Sequence, residues 1–172
     1  MKSRPAETEY AESFKGYVAR VPELDAVAVL EGQAGELGRL AAGVAPGREK
    51  HRYAEGKWSI REVTGHLIDS ERVFAYRALC ISRGDEVSLP GFEENDYIAA
   101  SHYDDTPLKD LVAEFTALRS GNMLFFRSLH DADWERIGTA NRNPVSVRAL
   151  AFIIAGHVRH HVGVLRDRYG VV

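Results

Sequence analysis

The sequence predicts an all-α protein built as a four-helix bundle. Four segments place apolar residues at every third or fourth position, which is the period of one helix face. No segment of alternating apolar and polar residues competes with them as a strand. A chain of 172 residues suits one domain with a sizeable core. We therefore expect residues 1–172 to form a single domain, with the bundle at about 21–170 and a peripheral segment at 1–20.

The first predicted helix runs from about Pro22 to Val44. Proline suits a first helical turn because the N–H that it lacks would have no helical partner there. Leucine and valine recur after it at spacings of three, four or seven. Gly32, Gly35 and Gly38 weaken this helix, each by roughly 1 kcal/mol relative to alanine.

The second predicted helix begins after Ser59 and ends at Gly84. Ser59 and Glu62 match the capping box, in which each side chain accepts a hydrogen bond from the other residue's backbone N–H. The third helix begins near Thr106-Pro107, a capping residue followed by a proline in the first turn, and continues to about Leu129. The fourth follows Ser146 as its cap and runs to about residue 169.

The connections between these helices are uneven in length. Residues 84–106 make a long link between helices two and three, and long loops are usually functional lids or contain a short helix. The stretch EENDYIAAS could be that helix, and DADWER predicts a helical turn in the link 130–145. Within the long link, Phe92, Asn95 and Tyr97 either line a substrate mouth or pack the loop.

Composition excludes several classes of partner. The net charge of −3 comes from 25 acidic and 22 basic side chains with both signs interspersed, so no basic stripe offers a nucleic-acid surface. No apolar run approaches the roughly 18 residues of a membrane span, and the N-terminus lacks the apolar core of a signal peptide. One cysteine suits a reducing compartment. We therefore expect a cytoplasmic protein without nucleic-acid or membrane partners.

Histidines are concentrated in the fourth predicted helix. The stretch AGHVRHHVGVL, residues 155–165, contains three of the seven histidines. At 100° per residue, His157 and His161 lie within about 40° of each other on the inward stripe, and His160 lies about 60° to one side. Two histidines four apart on one face can share a metal ion. The pair His157 and His160 has usable spacing too, and geometry alone does not exclude it. The alternative is that each is a core or surface histidine with its own hydrogen-bond partner; the spacing favours the metal.

A third metal ligand is available on the second helix. His66, in GHLIDSE, lies on the flank of the apolar stripe, where it faces a neighbouring helix. Glu62 and Asp69 are within reach of His66 and could orient its imidazole as hydrogen-bond acceptors. The alternative for both acids is a solvated helix face. The other histidines, His51, His102 and His130, lie in links and are expected at the surface.

Four blocks of the sequence together resemble the DinB-like family, and within it the YfiT-like metal-binding bundles. These blocks are YAEGKWSIREVTGHLIDSERVFAYRA, PGFEENDY, PLKDLVAEFTALR and GHVRHHVGVL. The resemblance implies a four-helix bundle in which three histidines hold a divalent metal, often nickel or zinc. It implies His66, His157 and His161 as the ligands, with His160 outside the set.

Three neutral imidazoles leave a divalent metal with open positions for water or substrate. Such an ion can make hydroxide or a thiolate available, so two enzymatic functions are open. One is a metal-dependent hydrolase of a small substrate. The other is transfer of a low-molecular-weight thiol to a small electrophile, which the resemblance favours because several characterised family members are thiol-dependent transferases or isomerases. A non-catalytic, metal-stabilised binding protein is the third possibility.

A homodimer is also expected. Tyr10, Phe14, Tyr17 and Val18 follow one another in helix-like steps in the segment 1–20. A bundle closed by four helices has little room for them, so they either cover one end of it or pack across a two-fold axis. Closed dimers are the commonest soluble oligomers, and the resemblance adds that YfiT-like relatives are often dimers.

Overall fold

Seven α-helices and one β-hairpin make up the fold in the computed structural model, which describes residues 3–172 apart from the side chain of residue 34. The helices are α1 (Lys15–Ala19), α2 (Ala26–Ala42), α3 (Ile60–Ser82), α4 (Glu94–Ala100), α5 (Leu108–Arg127), α6 (Asp131–Glu135) and α7 (Val147–Tyr169), and the strands are β1 (Ile137–Ala140) and β2 (Asn143–Ser146). Short 3-10 turns lie at Glu7–Glu9, Glu12–Phe14 and Tyr103–Asp105.

The four long helices α2, α3, α5 and α7 form the bundle, which confirms the predicted fold class. Around the bundle the order is α2, α5, α3, α7. Helices α2 and α3 are consecutive in sequence but lie diagonally opposite, so the link 43–59 crosses the end of the bundle. Consecutive helices are neighbours in a bundle with up-and-down topology, so this bundle has a different topology. Among the described residues, each helix is too short or too polar to span a lipid bilayer.

The predicted starts of α3 and α7 are confirmed by their caps. The Glu62 N–H donates to Ser59 Oγ at 3.1 Å, and the Ser59 N–H donates to Glu62 Oε2 at 2.7 Å. On α7, Ser146 Oγ accepts from the Ala149 N–H at 3.0 Å. Gly170 ends α7 in the left-handed region with φ 66°, where glycine is not strained. These caps fix where both histidine-bearing helices begin.

The starts of α2 and α5 differ from the prediction. Helix α2 begins four residues after Pro22, because Asp25 Oδ1 accepts from the Val27 N–H at 3.0 Å and caps the helix there. Thr106 does not cap α5. The carboxylate of Glu49, from the link 43–59, instead accepts from the Leu108 N–H at 3.2 Å. A long-range partner of this kind has no signature in the local sequence.

The antiparallel hairpin β1–β2 was not predicted. Its turn residues Asn141 and Arg142 have φ of 48° and 63°, the left-handed conformation of tight hairpin turns. Leu89 joins the hairpin, since its N–H donates to Thr139 O and its carbonyl accepts from the Asn141 N–H, both at 2.9 Å. The hairpin thereby holds the link 84–93 in place. The short helices expected in the two links are present as α4 and α6.

A buried polar network touches all four long helices. Arg119 on α5 donates from Nε and Nη2 to both carboxylate oxygens of Glu71 on α3, at 2.8 Å each. Its Nη1 donates to Leu30 O at 2.9 Å and to Gln33 Oε1 at 3.0 Å, both on α2. Gln33 Nε2 completes the network by donating to Ala155 O on α7 at 2.7 Å.

The N-terminal segment, described from residue 3, packs against the bundle. Tyr10 and Val18 are buried in the main core, and the Tyr17 carbonyl lies directly against Gly156 of α7. A Cβ at position 156 would lie 1.9 Å from Tyr17 O, so only glycine allows this approach. These aromatic residues are therefore accommodated within one chain. The homodimer stays a prediction, without the support that this segment was expected to give it.

Alanine at position 156 should destabilise the protein, because its Cβ would push the N-terminal segment off α7. Overpacking of this kind costs about 1–3 kcal/mol of the free energy of unfolding, measured by urea denaturation. Gly163→Ala on the same helix is the matched control, since a Cβ there meets nothing within 4 Å. The control should be neutral or stabilising, as alanine favours helix. Equal stability of the two variants would contradict the close packing of Tyr17 on α7.

Removing one member of the buried charge pair should lower the free energy of unfolding far more than removing one member of an exposed pair. We expect Arg119→Met to lower the free energy of unfolding by about 3–5 kcal/mol, because Glu71 would stay buried without its partner. The exposed pair Arg127–Glu31 also involves α5. Arg127→Met should cost at most about 1 kcal/mol in the same urea experiment. Similar losses in the two variants would argue against a network that holds the bundle together.

Candidate metal centre

Three histidines from two helices converge beside the core. His66 Nε2 on α3 lies 2.9 Å from His157 Nε2 on α7. The His161 ring lies one turn further along α7, with its centroid 4.6 Å from that of His157 and 4.8 Å from that of His66. One ligand nitrogen of each histidine falls within 4.8 Å of the other two. The structure thus brings together the three residues that were predicted from the sequence as metal ligands.

Helix geometry and helix order both contribute to this convergence. His157 and His161 share a face of α7 because four residues make about one turn. His66 meets them because α3 and α7 are neighbours in the bundle. His160 remains outside the cluster, as expected from its angle. Its ring is half-buried between Tyr17, at 5.5 Å between centroids, and His161, at 4.8 Å.

Burial keeps the clustered imidazoles neutral. It lowers the pKa of His66 to about 4, although the nearby Glu94 carboxylate acts in the opposite direction. Burial also lowers the pKa of His157 and His161 well below the ordinary value, and the neighbouring histidines add to this effect. A neutral imidazole has the free lone pair that a metal requires. All three side chains are therefore in the ligating form at neutral pH.

The donor set suits a divalent ion, and one of its distances is close to that between two ligands of one ion. Two nitrogens that each lie about 2.1 Å from one ion are separated by roughly 3.0–3.4 Å, depending on the angle between the two bonds. The 2.9 Å between His66 Nε2 and His157 Nε2 is close to this range. Three imidazoles without a carboxylate suit zinc and nickel, because imidazole is a borderline-soft ligand.

Neither predicted carboxylate hydrogen-bonds to the histidine cluster. Glu62 closes the α3 capping box and pairs with Arg52, with 3.1 Å between Arg52 Nη2 and Glu62 Oε1. Asp69 accepts from the Tyr103 hydroxyl at 2.7 Å. Both acids are half-buried and have their own partners, so the expected hydrogen bonds to His66 are not formed. Asp69 thereby fixes Tyr103, which packs on the glycine before His66.

Two aromatic side chains pack on the clustered imidazoles, and a third packs beside them on α3. The Trp58 ring packs on His66 with 4.8 Å between centroids, and the Tyr17 ring packs on His157 at 5.2 Å. Tyr103 covers Gly65, where a Cβ would come within 2.1 Å of the Tyr103 ring. Sequence reasoning missed these three aromatic residues. They lie in links or in the N-terminal segment, where no periodicity relates them to α3 or α7.

Two cavities of about 270 Å³ each flank the cluster. The first, here called the arginine cavity, is lined by Ser13, Phe14, Tyr17, His66, Ser70, Phe74, Arg77, Phe92, Glu94, Asn141 and His157. The second, here called the tryptophan cavity, is lined by Tyr53, Gly56, Lys57, Trp58, Val63, Asn95, His160, His161, Val164 and Tyr169. Of the three clustered histidines, His66 and His157 line the arginine cavity and His161 lines the tryptophan cavity.

The long link contributes to both cavities. Phe92 lines the arginine cavity and Asn95 lines the tryptophan cavity, as expected of a substrate mouth. Tyr97 is exposed and packs on Phe92, with 5.3 Å between ring centroids. Of the histidines expected at the surface, His102 and His130 are exposed, whereas His51 is half-buried near Tyr169.

Comparison with known proteins agrees with this architecture. A sequence profile of the DinB superfamily matches residues 30–165, and curated protein sequences give no significant match. The solved structure of YfiT from Bacillus subtilis, described as a probable metal-dependent hydrolase with an unusual four-helix bundle topology, matches with a TM-score of 0.77 and 17% identity over 99% of this chain and 95% of that chain.

A mycothiol-dependent maleylpyruvate isomerase matches with a TM-score of 0.68 and 12% identity, over 86% of this chain and 60% of that chain. At these identities the two structures establish a shared fold. The superfamily profile covers most of the chain, including all three clustered histidines. On that basis, the protein belongs to the DinB superfamily.

Proposed function

We propose that this protein is a metal-dependent enzyme whose divalent ion, nickel or zinc, is held by His66, His157 and His161. The observation that carries the proposal is the convergence of three neutral imidazoles between two cavities. The description of YfiT as a probable metal-dependent hydrolase supports it. When bound, such an ion supplies a Lewis acid with open coordination positions, which lowers the pKa of a coordinated water or thiol.

The protein's own residues position and shield the reactants. Phe14, Phe74 and Phe92 form apolar walls of the arginine cavity, so they displace water from one side of the cluster. Trp58 and Tyr17 restrict rotation of the His66 and His157 rings. These contacts hold the ligand nitrogens in place before a reactant binds, which reduces the reorganisation that binding would otherwise require.

Transfer of a low-molecular-weight thiol to a small electrophile is the reaction that we favour. A transfer reaction needs two co-substrates near one centre, and the cluster has a separate cavity on each side. Hydrolysis needs only one organic substrate and a water. The similarity to a mycothiol-dependent isomerase gives further support. Hydrolysis of a small substrate is the second candidate, favoured by the description of YfiT.

Metal content should depend on the clustered histidines and much less on their neighbour. We expect His157→Ala and His161→Ala to lose tight binding of zinc or nickel, because each removes one of three ligands. His160→Ala, the matched control on the same helix, should retain most of the metal. Elemental analysis of the purified variants measures this. Loss of metal in the His160 variant with retention in the His161 variant would reverse the ligand assignment.

Activity should require both the metal and a small thiol. We expect turnover of a small electrophile only when the metal-loaded protein is supplied with a low-molecular-weight thiol, chosen from a panel that includes mycothiol. Chelation should abolish this turnover, and readdition of the metal should restore it. Hydrolysis of ester or amide substrates without any thiol would instead support the second candidate. A metal-loaded protein inactive in both assays would contradict the enzymatic proposal.

A further inference from the structure

Arg77 of α3 is a buried arginine without a carboxylate partner. The side chain is 4% exposed, and its guanidinium donates from Nη2 to Pro90 O at 2.7 Å. Within the part of the chain that the structure describes, no carboxylate oxygen lies within 4.0 Å of this guanidinium. Arg119, the other buried arginine of the described chain, is satisfied by Glu71. Burying a guanidinium without a counter-charge is costly, so Arg77 is suited to receive an anion from outside the chain.

Arg77 shares a helix face with the metal site. His66, Ser70 and Arg77 point within about 40° of one another around α3, and about 16 Å of helix separates the first from the last. All three line the arginine cavity. The Phe74 ring lies between the histidine cluster and Arg77, with its centroid 6.0 Å from that of His157 and 5.6 Å from Arg77 Cζ. The guanidinium is therefore at one end of the cavity and the histidines are at the other.

A second polar group in this cavity also lacks a partner. Ser70 Oγ is buried, and no described residue forms a hydrogen bond with it. A buried hydroxyl without a hydrogen bond costs roughly 1–3 kcal/mol. Because Ser70 lies between His66 and Arg77 on the same face, its hydroxyl can donate to or accept from a molecule that occupies the cavity.

The remaining walls limit the size and charge of that molecule. Phe74 and Phe92 flank the guanidinium, with 5.6 and 5.9 Å from their centroids to Arg77 Cζ. The volume of about 270 Å³ is at the small end of ligand pockets. Half-buried Glu94 lines the same cavity and would repel a second negative charge on the ligand. The cavity therefore suits a small monoanion with an apolar or aromatic body.

We infer that the arginine cavity binds a small monocarboxylate, with its carboxylate on Arg77, its body against the Phe74 and Phe92 rings, and its far end toward the histidines. This inference deepens the proposed function and rests on it for two points, that the bound carboxylate is the substrate and that a thiol is the co-substrate. Guanidinium and carboxylate pair in a bidentate manner, which makes Arg77 a specificity-determining residue. The thiol co-substrate is then left with the tryptophan cavity.

Benzoate is a suitable probe, and benzamide is its neutral isostere. Calorimetric titration of the purified protein, with its metal content measured, should show benzoate binding at least about tenfold more tightly than benzamide, as expected for a charge-assisted pair. Arg77→Gln should weaken benzoate binding by about tenfold or more, since it removes the charge. Arg83→Gln, at an exposed arginine that follows the same helix, is the matched control and should bind benzoate like the unaltered protein.

The comparison of benzoate with benzamide on the chelated protein needs no variant, so it decides the question even if Arg77→Gln fails to fold. Equal binding of the two probes, absence of benzoate binding at millimolar concentration, or unchanged binding by a folded Arg77→Gln protein would each overturn the inference. Repeating the titration after chelation separates this site from the metal site. Benzoate binding that survives chelation supports Arg77 as its partner, whether or not a metal was present. Binding that disappears with the metal but survives in Arg77→Gln places the carboxylate on the ion and overturns the inference.

Discussion

The Arg119–Glu71 pair is the interaction on which the arrangement of the bundle depends. Its two charges are buried and reach three of the four long helices directly, and Gln33 extends the network to the Ala155 carbonyl of α7. Apolar side chains tolerate small shifts of one helix along another, whereas a buried bidentate pair does not, since a shift would leave a charge unsatisfied. We interpret the network as the device that selects one helix order and one register. The histidine cluster requires that register, because Ala155 lies two residues before His157 on the same helix.

Much of the fold could be predicted because its signals are local. Ser59 and Ser146 bond to N–H groups three residues away, and periodicity alone gives the inward face of α7. The start of α5 could not be predicted, since its capping carboxylate comes from Glu49, far back in the chain. The hairpin could not be predicted either. Its strands are four residues long and it is joined by Leu89 from another link, so neither alternation nor an Asn-Gly turn marks it.

The site, like the fold, could be predicted only where the residues that form it are close in sequence. Helix periodicity pairs His157 with His161, but it says nothing about which helix faces them. In an up-and-down bundle the second and fourth helices lie diagonally apart, and His66 could not have met the other two. The observed order places these helices side by side. Tyr17 and Trp58 were missed for a related reason, since aromatic residues outside a periodic segment carry no sign of what they contact. Likewise, only the folded structure shows that Arg77 has no carboxylate partner among the described residues.

The contact between His66 and His157 joins residues 91 positions apart in sequence. Such a contact is essentially absent from the unfolded chain, because closing so long a loop is entropically unfavourable. Any ligand that needs both histidines therefore binds the native state alone, and its binding free energy adds to the free energy of unfolding. Site occupancy and global stability are linked through one equilibrium. A substitution far from the site, in the Arg119 network for example, lowers the apparent affinity for such a ligand as soon as it populates the unfolded state.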